Sequence, residues 1–216
     1  MPDYQLKHET ITVNHIDFII RSLKDRQQFA DPQQLAEAIG ISSATWSLFG
    51  VVWPSARVLA GQVSLLQLGD KRVLEIGCGL ALSSLVLHRM GVNITASDYH
   101  PLAEAFLDEN VQGNALPPIK FETGNWEQLN PLLGEFDLII GSDVLYEPAH
   151  AGSVANFIDR HSSDHAKVMI VDPNRGNRSR FTKNMIALGY AHNFERFEIN
   201  EIDHEACKGR ILHFQR

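Results

Sequence analysis

The stretch VLEIGCGLALSS, residues 73 to 84, constrains this chain more than any other. An apolar, β-rich run reaches Ile76, a glycine pair split by Cys78 follows, and helical spacing begins at once. Strand, glycine turn and helix in that order put free backbone N–H groups at a helix start, and the missing side chains let a ligand approach the main chain. Gly77 and Gly79 permit that approach, and an acid, Glu75, stands just before the turn.

A dinucleotide fingerprint needs a third glycine where this chain has Leu82. That misfit and the acid at position 75 both argue against NAD. Asp98 lies 21 residues after Gly77, at the end of the next β-rich run. A carboxylate there can accept hydrogen bonds from both hydroxyls of a ribose, so the pattern points to a cofactor built on a nucleoside.

Beyond this segment, short β-rich runs alternate with helical patterns. Residues 72–76, 92–97, 119–122, 136–140, 167–171, 193–199 and 210–214 read as seven strands. Between them, Leu82, Leu85, Val86 and Met90 share a helix face, as do Val154, Phe157 and Ile158, and Phe181, Met185 and Leu188. The alternation predicts an α/β fold with a mostly parallel sheet. Ahead of it, residues 9–13 and 16–20 read as a hairpin turning at Asn14 and His15. Asp31 and Pro32 then signal a short helix, carrying Leu35, Ala38 and Ile39 and ending at Gly40. The expected division is an extension over residues 1–44 and a main domain over 45–216.

Charge and composition narrow the function. A formal charge of −7 disfavours phosphate backbones, which bind through clustered Lys and Arg, so nucleic acid is not the expected partner. No apolar stretch approaches the roughly 20 residues of a membrane-spanning helix, and the N-terminus lacks the pattern of a secretory signal. With only two cysteines, a cytoplasmic setting and a monomer are expected. The 10 histidines show no metal-ligand spacing; His161 and His165 flank a polar Ser-Ser-Asp stretch read as a surface loop, so no metal is expected.

Acid-x-Gly-x-Gly at Glu75, Gly77 and Gly79, followed by Asp98, resembles the class I, seven-strand methyltransferases that bind S-adenosylmethionine. The resemblance covers about residues 45 to 214 and implies a Rossmann-like, doubly wound sheet with helices on both faces. GVVWPSARVLA (50–60), GNW (124–126) and IIGSDVLYE (139–147) are similar to segments of the family-16 protein lysine methyltransferases. That likeness implies that Trp53, Asn125, Trp126 and Ser142 join Glu75, Gly77, Cys78, Gly79 and Asp98 around the cofactor, with Asp143 and Tyr146 serving catalysis. DPNR (172–175) resembles the branch acting on electron-transfer flavoprotein β-subunits. Ala81 departs from the pattern, since many methyltransferases carry a third glycine there. The implied reaction is methyl transfer to lysine in a protein substrate. Transfer to a small, nicotinamide-like amine and a non-catalytic cofactor-binding module are the alternatives.

Overall fold

The computed structural model describes residues 4–202 and 205–216. The chain opens with an antiparallel hairpin, β1 (Leu6–Val13) and β2 (Ile16–Leu23). Asn14 and His15 both take positive φ, 46° and 65°, the twist that a tight two-residue hairpin loop requires. The hairpin does not join the main sheet. A short helix α1 (Leu35–Ala38), one 3₁₀ turn over Trp46–Gly50, and helix α2 (Pro54–Val63) lead into it.

Helix α1 starts later than its sequence signal. Asp31 does cap it, its Oδ2 accepting from the N–H groups of Ala36 and Glu37 at 2.9 Å each, but Pro32 lies in the preceding turn. Gln34, in a left-handed conformation with φ 53°, delays the first helical residue to Leu35.

From there strands and helices alternate: β3 (Arg72–Ile76), α3 (Leu82–Arg89), β4 (Asn93–Asp98), α4 (Ala103–Gly113), β5 (Lys120–Thr123), β6 (Phe136–Ser142), α5 (His150–Arg160), β7 (Ser162–Asp172), α6 (Arg178–Ala187), β8 (Ala191–Ile202) and β9 (Glu205–Gln215). The sheet order is β5-β4-β3-β6-β7-β9-β8, parallel from β5 to β7, with the closing β8–β9 hairpin antiparallel. This is the expected seven-stranded α/β sheet. Its strand order reverses between β3 and β6, where open α/β sheets form their ligand crevice.

Alternation along the central strands feeds two cores, one per face. Val73, Leu138, Ile140, Met169 and Val171 face α2, α3 and α4; Leu74, Ile76, Val168 and Ile170 face α5 and α6. The N-terminal hairpin continues the first core, burying Ile11, Phe18, Ile20 and Leu23 with Phe106, Leu107 and Val111 of α4. Two amides of the α4 region hold its open edge as a neighbouring strand would. Asn114 accepts from Ile19 N–H at 2.9 Å and donates to its carbonyl at 2.7 Å, and Asn110 does the same for Arg21 at 2.7 and 3.3 Å.

One expectation is corrected here. The Ser-Ser-Asp stretch is not a surface loop but the start of β7, and His161 is buried, its Nδ1 donating to the Gly134 carbonyl at 2.8 Å. Among the described residues no group of His, Cys, Asp or Glu is placed to hold a metal ion, and no helix is long and apolar enough to cross a membrane.

Candidate active site

A cavity of about 660 Å³ opens beyond the C-terminal ends of β3, β4 and β6. Trp53, Gly77, Cys78, Gly79, Asp98, Asn125, Trp126, Ser142, Asp143 and Tyr146 all line it. Glu75 is the one candidate that does not. It lies buried beneath the turn, its Oε2 accepting from Ser84 N–H at 2.8 Å and from Ser84 Oγ at 2.5 Å. It therefore ties the end of β3 to the start of α3 and fixes the turn's shape without facing the cavity. Burial, partly offset by the Ser84 bonds, raises its carboxyl from 4.5 to about 7.

The turn favours glycine strongly. Gly77 has φ 56°, and a Cβ on it would stand 2.9 Å from Val144 Cγ1 and 3.2 Å from Trp126 Cζ2. A Cβ on Gly79 would stand 2.9 Å from the Phe49 carbonyl oxygen. Ala81, at the position where a third glycine is common, also adopts a left-handed φ of 56° and is fully buried. The backbone here asks for glycine, and alanine bears the strain.

Asp98 braces the floor. Its Oδ2 accepts from Gly79 N–H at 2.8 Å and its Oδ1 from His100 N–H at 2.9 Å, leaving lone pairs on both oxygens. Burial raises its carboxyl above the usual range, opposed by these backbone bonds. Burial likewise lifts the Cys78 thiol well above its ordinary value, so Cys78 is an inert wall residue.

Several lining residues were not foreseen. The segment after α1 folds over the crevice, and Tyr99 Oη donates to the Ile39 carbonyl at 3.1 Å, so Ile39 and Phe49 wall one side. His100 stacks on Phe49 with ring centres 3.7 Å apart. Its Nδ1 accepts from Leu102 N–H at 3.2 Å, which leaves the proton on Nε2, a buried atom with no partner among the described residues. Burial lowers His100 to about 4, so the ring is neutral near pH 7. Its one sequence signal is its place two residues after Asp98.

At the other end, Trp126 covers the glycine turn and meets His150 edge-on at 5.0 Å, and His150 meets Tyr146 at 4.6 Å. Tyr146 is 43% exposed and forms the rim. Burial of its hydroxyl, helped by Asp98, Glu147 and Asp143, pushes the phenol up to about 12, so it keeps its proton. Asp143, on a left-handed residue just past β6, is gripped by Arg175. Trp53 precedes Pro54 at the start of α2, donates from Nε1 to the Leu48 carbonyl at 2.9 Å, and carries the Arg26 guanidinium 4.7 Å above its ring.

The arrangement joins a nucleoside-sized cradle to a rim bearing the Asp143 and Glu147 carboxylates and the Tyr146 phenol. The cradle has glycines at which a side chain would crowd Val144, Trp126 and the Phe49 carbonyl, and ribose-competent lone pairs on Asp98. A sulfonium nucleoside with an amino-acid tail fits that donor set.

Comparison with known proteins agrees. The family model described as lysine methyltransferase matches residues 37–187. The chain is 32% identical over 114 residues to protein N-lysine methyltransferase METTL21A of Danio rerio, covering 48% of this chain and 52% of that protein. It is 28% identical over 138 residues to the electron transfer flavoprotein beta subunit lysine methyltransferase of Mus musculus, covering 62% and 52%. Relatives from Rattus norvegicus and Dictyostelium discoideum, at 34% and 30% identity, are named for histone-arginine and histidine methylation. The chain spans about half the length of the curated relatives it matches. Magnesium protoporphyrin IX methyltransferase of Synechocystis PCC 6803, solved with bound SAM, shares the fold at a TM-score of 0.58 and 20% identity, over 77% of this chain and 86% of that one. On sequence, fold and the geometry of its crevice, this chain belongs to the lysine methyltransferase family of class I, S-adenosylmethionine-dependent methyltransferases.

Proposed function

We propose that this chain transfers a methyl group from S-adenosylmethionine to the side-chain amine of a lysine in a protein substrate. The observation that carries the reading is the single cavity joining the Gly77–Asp98 cradle to the Asp143–Tyr146 rim. The cofactor is S-adenosylmethionine, and when bound it supplies a methyl group on a positively charged sulfur.

In this reading the backbone of Gly77 to Gly79 and the Asp98 carboxylate hold the nucleoside, with Trp126 at its adenine edge and Trp53, Asn125 and Ser142 completing the enclosure. Ile39 and Phe49 exclude water. Such methyl transfer is an in-line displacement, so the chain acts mainly by alignment and enclosure.

The acceptor must arrive neutral. A lysine with an ordinary pKa of about 10.4 needs roughly 4 to 5 kcal/mol to lose its proton at pH 7. Asp143 recruits and orients the amine. Tyr146 keeps its hydroxyl proton, packs its ring beside the nitrogen and offers a hydrogen-bond partner. The amine's proton leaves to water, and a bound sulfonium would add to this by disfavouring a second positive charge beside it. A protein substrate in place of nucleic acid accords with the net charge of −7, and the same reading takes the enzyme as a cytoplasmic monomer.

The test is incubation with methyl-labelled S-adenosylmethionine and lysate, followed by separation of protein from small molecules and mass spectrometry of the labelled fraction. The proposal expects label on lysine in a protein. Label confined to small amines, or carried on arginine or histidine, would replace the acceptor while leaving the cofactor assignment standing.

A further inference from the structure

Asp143 does not wait in the cavity as a lone carboxylate. Arg175 donates from Nε to Oδ1 at 2.8 Å and from Nη2 to Oδ2 at 2.6 Å, a two-point fork. The arginine is itself held in place. Its backbone N–H donates to Oδ1 of the buried Asp172 at 3.0 Å, it sits between left-handed Asn174 and Gly176, and its guanidinium lies 6.0 Å from the Trp53 ring centre.

This pairing bears on a difficulty in the chemistry. An isolated carboxylate beside a lysine stabilises the ammonium, which has no lone pair to attack a methyl group. A carboxylate already matched by a guanidinium exerts little net charge, yet each oxygen keeps a second lone pair that can accept an N–H. We propose that Arg175 is a positioning residue that neutralises Asp143, so that the carboxylate orients the acceptor amine by hydrogen bonding without retaining its proton. The inference rests on the amine-acceptor reading above.

The charges facing this pair come from several elements. Asp98 of β4 and Glu147 act with Asp143 on the neighbouring Tyr146, against which His150 of α5 packs, and Asp172 of β7 feels Arg178 of α6 as well as Asp143. Cys207 of β9 lies near Arg175, and the Tyr146 phenol keeps its proton. Among the described residues, Arg175 is the cation in direct contact with Asp143. In the step itself the ammonium first gives one proton to water. The nitrogen lone pair then forms the N–C bond while the C–S bond breaks with its electron pair left on sulfur, and the product leaves as the methylated ammonium.

The test compares wild type with Arg175→Gln and Arg175→Lys. Arg175→Met serves if the glutamine variant does not fold, and cofactor affinity by calorimetry checks each fold. The first readout is the pH profile of kcat and KM on the protein acceptor found by labelling. The second needs no turnover: n-butylamine is titrated into the chain with sinefungin present, a non-transferring cofactor analogue that carries a charged amine in place of the sulfonium, in buffers of different ionisation enthalpy, to count protons released. Wild type should release a proton on binding the amine, and Arg175→Gln should release fewer. The acid limb of kcat should move up by about one pH unit in Arg175→Gln, the lower end of what one neighbouring charge imposes. Near pH 7 that lowers kcat about tenfold, and Arg175→Lys should recover most of it. An unchanged profile and proton count would overturn the proposal. So would a fall in KM with no shift, which would make Arg175 a displaced plug, or a wild type that binds no butylamine. If no protein is methylated, the acceptor reading fails, and the butylamine count still judges Arg175.

Discussion

Replacing Gly77 by alanine tests whether the glycine turn is a ligand cradle or an ordinary tight turn, provided that Gly91→Ala is measured beside it. Both glycines have positive φ, 56° and 79°, so a Cβ at either brings backbone strain of about 1 to 2 kcal/mol. Reduced freedom of the unfolded chain returns about 0.4 to 1 kcal/mol to each. At Gly91 the new methyl meets nothing within 4 Å, and the account ends there. At Gly77 the methyl would lie 2.9 Å from Val144 Cγ1 and 3.2 Å from Trp126 Cζ2. Carbon atoms prefer about 3.5 to 4.0 Å, so Val144 and the Trp126 ring must shift, at a further cost of about 1 to 3 kcal/mol. Urea unfolding should therefore find Gly91→Ala about 1 kcal/mol less stable than wild type and Gly77→Ala about 2 to 4. Calorimetry with S-adenosylmethionine should find binding intact in Gly91→Ala and weakened at least about tenfold in Gly77→Ala, where a 1.4 kcal/mol loss suffices. Equal stability losses, or wild-type affinity in Gly77→Ala, would refute the close-approach argument.

Other perturbations separate the remaining roles. Asp98→Ala should weaken cofactor binding, whereas Asp143→Ala should abolish transfer and leave that binding largely unchanged; calorimetry showing unaltered affinity in Asp98→Ala would sink this division. Glu75 holds its proton more tightly folded, at about 7, than at its ordinary 4.5, so its ionisation works against the fold. Stability should fall by about 3 kcal/mol as pH rises across that interval, and Glu75→Gln, which keeps an acceptor for Ser84, should flatten the dependence in urea titrations. A variant curve that parallels wild type would contradict this. Asn114→Ala strips both main-chain partners from Ile19 and should cost about 2 kcal/mol, with faster amide exchange at Ile19 as the local signature.

The sheet was legible because its central strands are short, β-rich runs between glycine turns and helical faces, and the separate hairpin because two alternating runs flank Asn14 and His15. Helix Pro54–Val63 announces itself only by a proline at its first position, because the preceding residue, Trp53, offers no side-chain cap. His161 misled because a Ser-Ser-Asp run looks like a loop. Only the partner strands and the Gly134 carbonyl show otherwise, and neither is local in sequence. Asp143 and Tyr146 stood out only through likeness to the family-16 segments, whereas the glycines and Asp98 of the same cavity were legible through spacing. Its other wall was not: Ile39, Phe49 and His100 come together through a fold-back that no motif announces. The same holds for the Asp143–Arg175 pair, 32 residues apart. Glu75 belongs to the motif, but spacing alone could not tell a residue facing the ligand from one bracing the turn beneath it.

The central claim is that the crevice between β3 and β6 is a nucleoside site built for S-adenosylmethionine. Its most direct test is calorimetric titration of wild-type chain with S-adenosylmethionine and, separately, with NAD. The account predicts saturable binding of one S-adenosylmethionine per chain and none of comparable strength for NAD. Tight NAD binding, or no S-adenosylmethionine binding by folded chain, would contradict it.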